Sequence, residues 1–177
     1  MNGKLKTFFR VLAFSVVLAA ATFGYVCYEK TLVEWWLPVL ASAILALLTL
    51  PFFSVHWRIL TGMKGAVNYL CHLYVVGGIG YFLLLGGNFL FSAPSSACKE
   101  EVRVLEKEHL VKNVTSRSGR RYRTVRRTIH YYYLTVCFAD GTCKKVPVSL
   151  SLYNRSHKDG VCIFTLQRGL LGFRVIK

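Results

Sequence analysis

The sequence predicts a membrane α + β protein: a three-helix transmembrane bundle followed by a small antiparallel β-barrel or roll. Three observations lead there. Residues 1–95 contain three long uncharged apolar runs. Residues 96–177 carry 17 of the 23 Lys and Arg residues. From residue 101 onward, β-branched and aromatic stretches alternate with Gly-containing turns. A mean hydropathy of +0.41 combined with a net charge of +15 excludes an ordinary soluble fold. The 8 acidic residues leave little room for carboxylate catalysis.

A helix rises about 1.5 Å per residue and the hydrocarbon core is about 30 Å thick, so about 20 apolar residues cross it. The three runs predict spans at about 9–28, 35–55 and 66–91. The third is too short for two antiparallel crossings, unless its glycines form a re-entrant break. The first has a basic start and an Ala19-x-Ala21 pattern, as a signal peptide would. Its apolar body continues past that pattern, which favours a retained helix. Pro38 sits in the first turn of the second helix, where proline is tolerated. Pro51 is expected to stop or kink that helix. Trp35, Trp36 and Trp57 fit interfacial belts.

Basic residues flank the N-terminus (Lys4, Lys6, Arg10) and the second connection (Arg58, Lys64), whereas Glu29 and Glu34 make the first connection acidic. This places the N-terminus in the cytoplasm. Three crossings then put the C-terminal part outside, against the weight of its own positive charge, so its side stays open.

Within the spans, Gly77, Gly80 and Gly87 are candidates for close helix packing, within one chain or between subunits. Asn68 and His72, four apart on one face, and Asn88 are candidates for a polar pore lining, or for hydrogen bonds between helices. No Asp, Glu, Lys or Arg lies deep in a span, which argues against charge-coupled transport.

Ser92-Ala93-Pro94-Ser95-Ser96 reads as a linker between a transmembrane domain, 1–95, and a basic β domain, 96–177. Five short strands are expected, at about 102–115, 122–138, 142–148, 161–166 and 173–176, with a helical turn at 150–156. Asp140-Gly141 is the strongest hairpin signal, because Gly accepts positive φ.

Arg117, Arg120, Arg121, Arg123, Arg126 and Arg127 form the densest charge cluster. Such a cluster attracts phosphates, in lipid headgroups or in nucleic acid. Neighbouring tyrosines offer stacking surfaces. The competing expectation is neutralisation: in a hairpin turning near Ser118, Glu106 and Glu108 lie across from positions 128–130, near Arg126 and Arg127.

Cys27 and Cys71 fall in spans. Cys98, Cys137, Cys143 and Cys162 permit two disulfides in three pairings. A two-residue turn at Asp140-Gly141 sets Cys143 opposite Phe138 rather than Cys137. No Cys-x-x-Cys or paired His spacing marks a metal centre, and no nucleophile constellation or phosphate loop is visible. No cofactor and no enzymatic activity are expected.

The series Tyr133-Leu134-Thr135-Val136, Phe138-x-Asp140-Gly141, Lys145-Val146-Pro147-Val148, Tyr153, Gly160-Val161 and Gly169-Leu170-Leu171-Gly172-Phe173 resembles small β domains attached to short membrane bundles in bacterial inner-membrane proteins. That resemblance covers about 130–177 and implies fold only. In size and membrane character the chain is also similar to accessory membrane proteins encoded beside type VI CRISPR effectors. This second resemblance implies a pore or channel serving antiviral defence. Arg123 and His130 loosely meet an Arg-x(4–6)-His nuclease pattern, but in a strand rather than on the helix which that chemistry uses. Two functions follow as expectations: a homo-oligomeric pore, or a membrane-anchored module whose arginine hairpin docks a partner, anionic lipid or nucleic acid.

Overall fold

The computed structural model describes residues 3–61, 65–118 and 123–177. Three long helices come first: α1 (Gly3–Glu29), α2 (Trp36–Thr61) and α3 (Ala66–Leu90). Each is long and apolar enough to cross a membrane. Their apolar residues are not confined to one stripe. Leu47, Leu48, Phe52, Leu70 and Leu83 are exposed, an arrangement stable in hydrocarbon and costly in water.

Strand β1 (Thr31–Leu32) follows α1, and β2 (Ala93–Ser118) follows α3. After them come β3 (Arg123–Cys137), β4 (Cys143–Val148), α4 (Leu150–Arg155), β5 (Val161–Arg168) and β6 (Arg174–Ile176). The strands form one antiparallel, barrel-like sheet in the order β1-β6-β5-β2-β3-β4.

The chain divides into two compact units, Met1–Ala97 with Leu166–Lys177, and Cys98–Thr165. The expected boundary at 95/96 left 166–177 with the β domain; these residues group with the helices.

In the first unit, α3 packs on α1 and α2. A methyl group at Gly78 would press on Val17, one at Gly80 on Leu45 and Ser42, and one at Gly24 on Tyr81 and Phe82. Phe14 and Tyr74 meet at 5.6 Å, Phe23 and Phe82 at 5.9 Å. Thr22, Ser42 and Thr49 spend their hydroxyls on carbonyls of their own helices, which removes polar groups from the lipid-facing account. The helix does not stop at Pro51 but continues to Thr61. In hydrocarbon, forgoing one backbone bond costs less than exposing the several unpaired groups of a helix end.

The connection between α1 and α2 is not a plain loop. Thr31 pairs with Val175 and Leu32 with Arg174, which makes a sixth strand that the sequence reading lacked. Thr31 is fully buried, and its hydroxyl donates to the Cys27 carbonyl at 2.8 Å. The Ser/Pro/Ala stretch expected as a linker is likewise not a linker, because β2 already begins at Ala93. Ser92 Oγ donates to Gln167 Oε1 and Arg168 N donates to Ser96 Oγ, so β5 ties this stretch down.

In the second unit, period-two burial builds the core from Val102 and Val104, from Leu134, Val136 and Phe138, and from Val146, Cys162 and Phe164. Burial pushes the Cys162 thiol above its usual pKa. Ser149 caps α4, accepting from Leu152 N at 3.3 Å.

Cys137 and Cys143 lie opposite each other across β3 and β4 and are joined by a disulfide. The expected register is thus off by one residue. Phe138 N donates to the Thr142 carbonyl at 3.0 Å, so the loop is the three residues 139–141, with Gly141 at φ 82°. A three-residue loop closed by a left-handed Gly is the next common hairpin after the two-residue one. The extra residue turns Cys143 from Phe138 to Cys137.

Candidate functional site

The site grows out of the β2–β3 hairpin. The two strands pair from Arg103↔Cys137 to Ser118↔Arg123, with a bulge at Leu105. Up to Val104 they carry core residues. Farther out, from His109 to Thr115 and from Arg127 to Tyr131, every residue except Val114 is exposed. The outer hairpin is therefore a two-stranded ribbon with solvent on both sides. β2, with 26 residues, runs past both ends of the expected 102–115, whereas β3, with 15 residues, falls within the expected 122–138.

Register decides what each side presents. One side carries Leu110, Lys112 and Val114 opposite Tyr131, Ile129 and Arg127. Leu110, Ile129 and Tyr131 are exposed, so this side is both apolar and basic. The other carries His109, Val111 and Asn113 opposite Tyr132, His130 and Thr128. Here Thr128 Oγ1 donates to Asn113 Oδ1 at 3.0 Å, and His109 Nε2 lies 2.9 Å from His130 Nδ1. Tyr132 stacks on His109 at 4.7 Å and meets Tyr153 at 5.1 Å, while Lys107 sits 4.4 Å over the Tyr153 ring.

In the backbone register Arg126 pairs with Thr115, Arg117 with Thr124, Arg123 with Ser118 and Arg127 with Val114. Arg120 and Arg121 lie outside the described residues.

The expected neutralising register is not formed. Glu106 lies opposite Thr135 and Glu108 opposite Tyr133, about five positions nearer the base than expected. Glu108 is paired with Lys145, which also sits 4.8 Å over Tyr133. Glu100 Oε1 accepts from Ala139 N, and Arg103 pairs with Asp159 at 3.2 Å. Between Glu108 and Asp140 the sequence has seven Lys and Arg residues and no acid. The basic ribbon thus has no carboxylate of its own strands facing it.

The polar residues of the spans occupy different surroundings. His72 is buried, and its Nδ1 accepts from Trp57 Nε1 at 2.7 Å. Its Nε2 therefore carries the proton, lying 2.8 Å from the Ala46 carbonyl and 3.1 Å from Thr49 Oγ1. Asn88 is fully buried at the end of α3. Its Oδ1 accepts from Leu171 N at 2.9 Å, and its Nδ2 donates to the Phe173 carbonyl at 3.3 Å. Asn68 is also buried in α3. No buried side-chain nitrogen or oxygen among the described residues lacks a partner. Of the three glycines singled out, a methyl group at Gly80 would press on α2, whereas one at Gly77 or Gly87 would meet nothing within 4 Å.

Sequence reading missed the His109–His130 pair. The two are 21 positions apart, and only the correct hairpin register makes them neighbours. Compared with family models, with curated proteins and with solved structures, the chain matches none significantly.

Proposed function

We propose that the chain is a membrane-anchored binding module whose basic β ribbon docks an anionic, phosphate-bearing surface, the headgroups of a lipid bilayer. The observation that carries this reading is the outer ribbon: exposed on both sides, free of acids from His109 to Ala139, and bearing Leu110, Ile129 and Tyr131 on one face beside Lys112 and Arg127. Basic residues near an anionic surface contribute about 1 kcal/mol each. Exposed apolar and aromatic side chains suit the headgroup boundary better than a nucleic-acid backbone. The Cys137–Cys143 disulfide favours an oxidising compartment, away from cytosolic nucleic acid. It agrees with an inner-membrane topology in which the N-terminus is cytoplasmic and the ribbon outside.

In this reading His72 and Asn88 are internal ties rather than a conducting path, since their polar atoms are used within the chain. The test uses the full chain in neutral nanodiscs, mixed with anionic vesicles, neutral vesicles or a short RNA. Anionic vesicles should be captured, less so as salt rises. Replacing Arg126 and Arg127 with Gln should weaken capture roughly 30-fold. Capture of RNA in preference to anionic vesicles would overturn the lipid assignment.

One observation favours a second reading, an oligomeric pore: Gly77 and Gly87 leave open places on α3 where another helix can approach. A closed multi-subunit mass in mild detergent, lost in Gly77→Leu and Gly87→Leu variants, would support it.

A further inference from the structure

We propose that the turn between β5 and β6 is an interfacial anchor: Leu170 and Leu171 enter the headgroup boundary of the bilayer that the helices cross, and Arg168 and Arg174 hold lipid phosphates at its base. The anchor requires that the helices cross a membrane; it is independent of the basic ribbon.

The turn runs from Gly169 to Gly172, closed by Gly172 N donating to the Gly169 carbonyl at 2.9 Å. Its two central positions are Leu170 and Leu171, 64% and 48% exposed. Central turn positions usually take Gly, Pro, Asn, Asp or Ser, so two adjacent leucines are a poor tip for water. The backbone is also fitted to leave water. Gly169 N donates to the Phe173 carbonyl and Leu171 N to Asn88 Oδ1, both at 2.9 Å. With Gly172 N, three amides of the turn are used inside the chain, as backbone near hydrocarbon requires.

Depth follows from Asn88. That residue lies inside the span Ala66–Leu90, two residues from its end, or about 3 Å along the axis. A turn hydrogen-bonded to Asn88 therefore sits level with the last turn of α3, whose Leu90 is exposed, as is Phe91 just beyond it. Two lysines mark that level as the polar boundary. Lys177 Nζ donates to the Phe89 carbonyl at 3.1 Å and lies 3.8 Å over the Phe89 ring, and Lys30 Nζ lies 5.7 Å from the same ring. Ammonium groups on apolar stems belong at headgroup depth. Trp35 and Trp36, both exposed, follow β1, which pairs with β6; tryptophan is enriched in the same zone.

Charge completes the fit. Arg168 and Arg174 are cross-strand partners at the base of the turn. Directly opposed like charges destabilise a sheet, and an anion held between them removes that penalty. Phospholipid phosphate is the anion which this depth supplies, and guanidinium binds it through paired N–H donors. Leucines in the boundary and arginines on the headgroups make a shallow anchor, which fixes β6 and its partner β1 at the membrane surface.

The experiment places a nitroxide at Leu170→Cys in the full chain, with Cys27, Cys71, Cys98 and Cys162 replaced by Ala and the Cys137–Cys143 bridge kept. Electron paramagnetic resonance in phospholipid nanodiscs compares collisions with oxygen, which concentrates in lipid, and with a water-soluble nickel chelate. A label at Leu83→Cys, exposed within α3, gives the hydrocarbon value. At 170, oxygen collisions should exceed chelate collisions severalfold, by less than at 83. Free chelate access at 170 with a lipid value at 83 would overturn the anchor and leave the spans standing. Water values at both sites would overturn the spans and the anchor together. Shielding of 170 from both reagents would also overturn it, by revealing a protein surface, such as a second copy, over the turn. Arg168→Gln should shift the 170 label toward the chelate; an unchanged ratio would overturn the role given to the arginines. The wild-type chain provides a check without cysteine changes. Lipids with a photoreactive acyl chain should leave adducts on 166–177 as well as on α3, and adducts on α3 alone would overturn the anchor.

Discussion

Gly169→Ala should cost nothing further once Asn88 is already Ala. The loop after β5 turns tightly: Gly169 N donates to the Phe173 carbonyl and Gly172 N to the Gly169 carbonyl, both at 2.9 Å. Asn88 closes on this loop from the end of α3, holding Leu171 N and the Phe173 carbonyl. Gly169 lies against the Asn88 amide so closely that a Cβ would overlap its Cγ, Oδ1 and Nδ2. Asn88→Ala removes two hydrogen bonds to the loop, at a cost of about 1–3 kcal/mol. Gly169→Ala drives a methyl into the amide, displacing it or the loop, at a similar cost of about 1–3 kcal/mol. Two independent lesions would sum to about 2–6 kcal/mol. In the double variant, however, the atoms that the methyl strikes are gone. It should be no less stable than Asn88→Ala alone, a coupling of about 1–3 kcal/mol. Equilibrium unfolding in mixed micelles gives all four corners of the cycle. Additivity within about 0.5 kcal/mol would refute the clamp.

Other outcomes follow from the same geometry. His72→Leu should cost about 1–2 kcal/mol in the same unfolding assay, since hydrogen bonds between membrane helices are modest; a conductance change with unchanged stability would instead favour a pore lining. Gly78→Ala should destabilise the α1–α3 contact through Val17, while Gly77→Ala and Gly87→Ala leave the unfolding midpoint nearly unchanged. Reducing the Cys137–Cys143 bridge should remove about 2 kcal/mol, given the short loop it closes. Cys98, exposed, should alkylate well before the buried Cys162. Because burial raises the Cys162 thiol in the folded state only, the unfolded chain gives up that proton first. Stability should therefore fall as pH rises past the ordinary thiol range, and Cys162→Ala should flatten the loss, read as unfolding midpoint against pH.

The parts of the fold legible in the sequence are those written in runs and periods. Spans expected at 9–28, 35–55 and 66–91 match three helices long enough to cross a membrane, because a stretch without charge has few other homes. Strands with β-branched alternation, such as Val161–Arg168, were equally plain. Thr31–Leu32 was not: a two-residue strand has no period, and it exists only because Arg174–Ile176 arrives to pair with it. Pairings set by a distant partner leave no local signal.

Register was the costlier gap. A strand's side chains alternate, so a one-residue slip exchanges its faces. Reading the turn at Asp140-Gly141 as two residues separated Cys137 from Cys143; three residues join them. In the longer hairpin, a turn placed too early set Glu106 and Glu108 against Arg126 and Arg127, and so supplied a neutralisation that the ribbon lacks. The correct pairing makes the same residues mean something else. It leaves seven basic residues with no acid among them, puts Leu110 beside Tyr131, and brings His109 to His130. The docking proposal for the ribbon rests on that register. A crosslink test is therefore decisive for it: cysteines at Leu110 and Tyr131 should bridge readily, while cysteines at Glu108 and Thr128 should not.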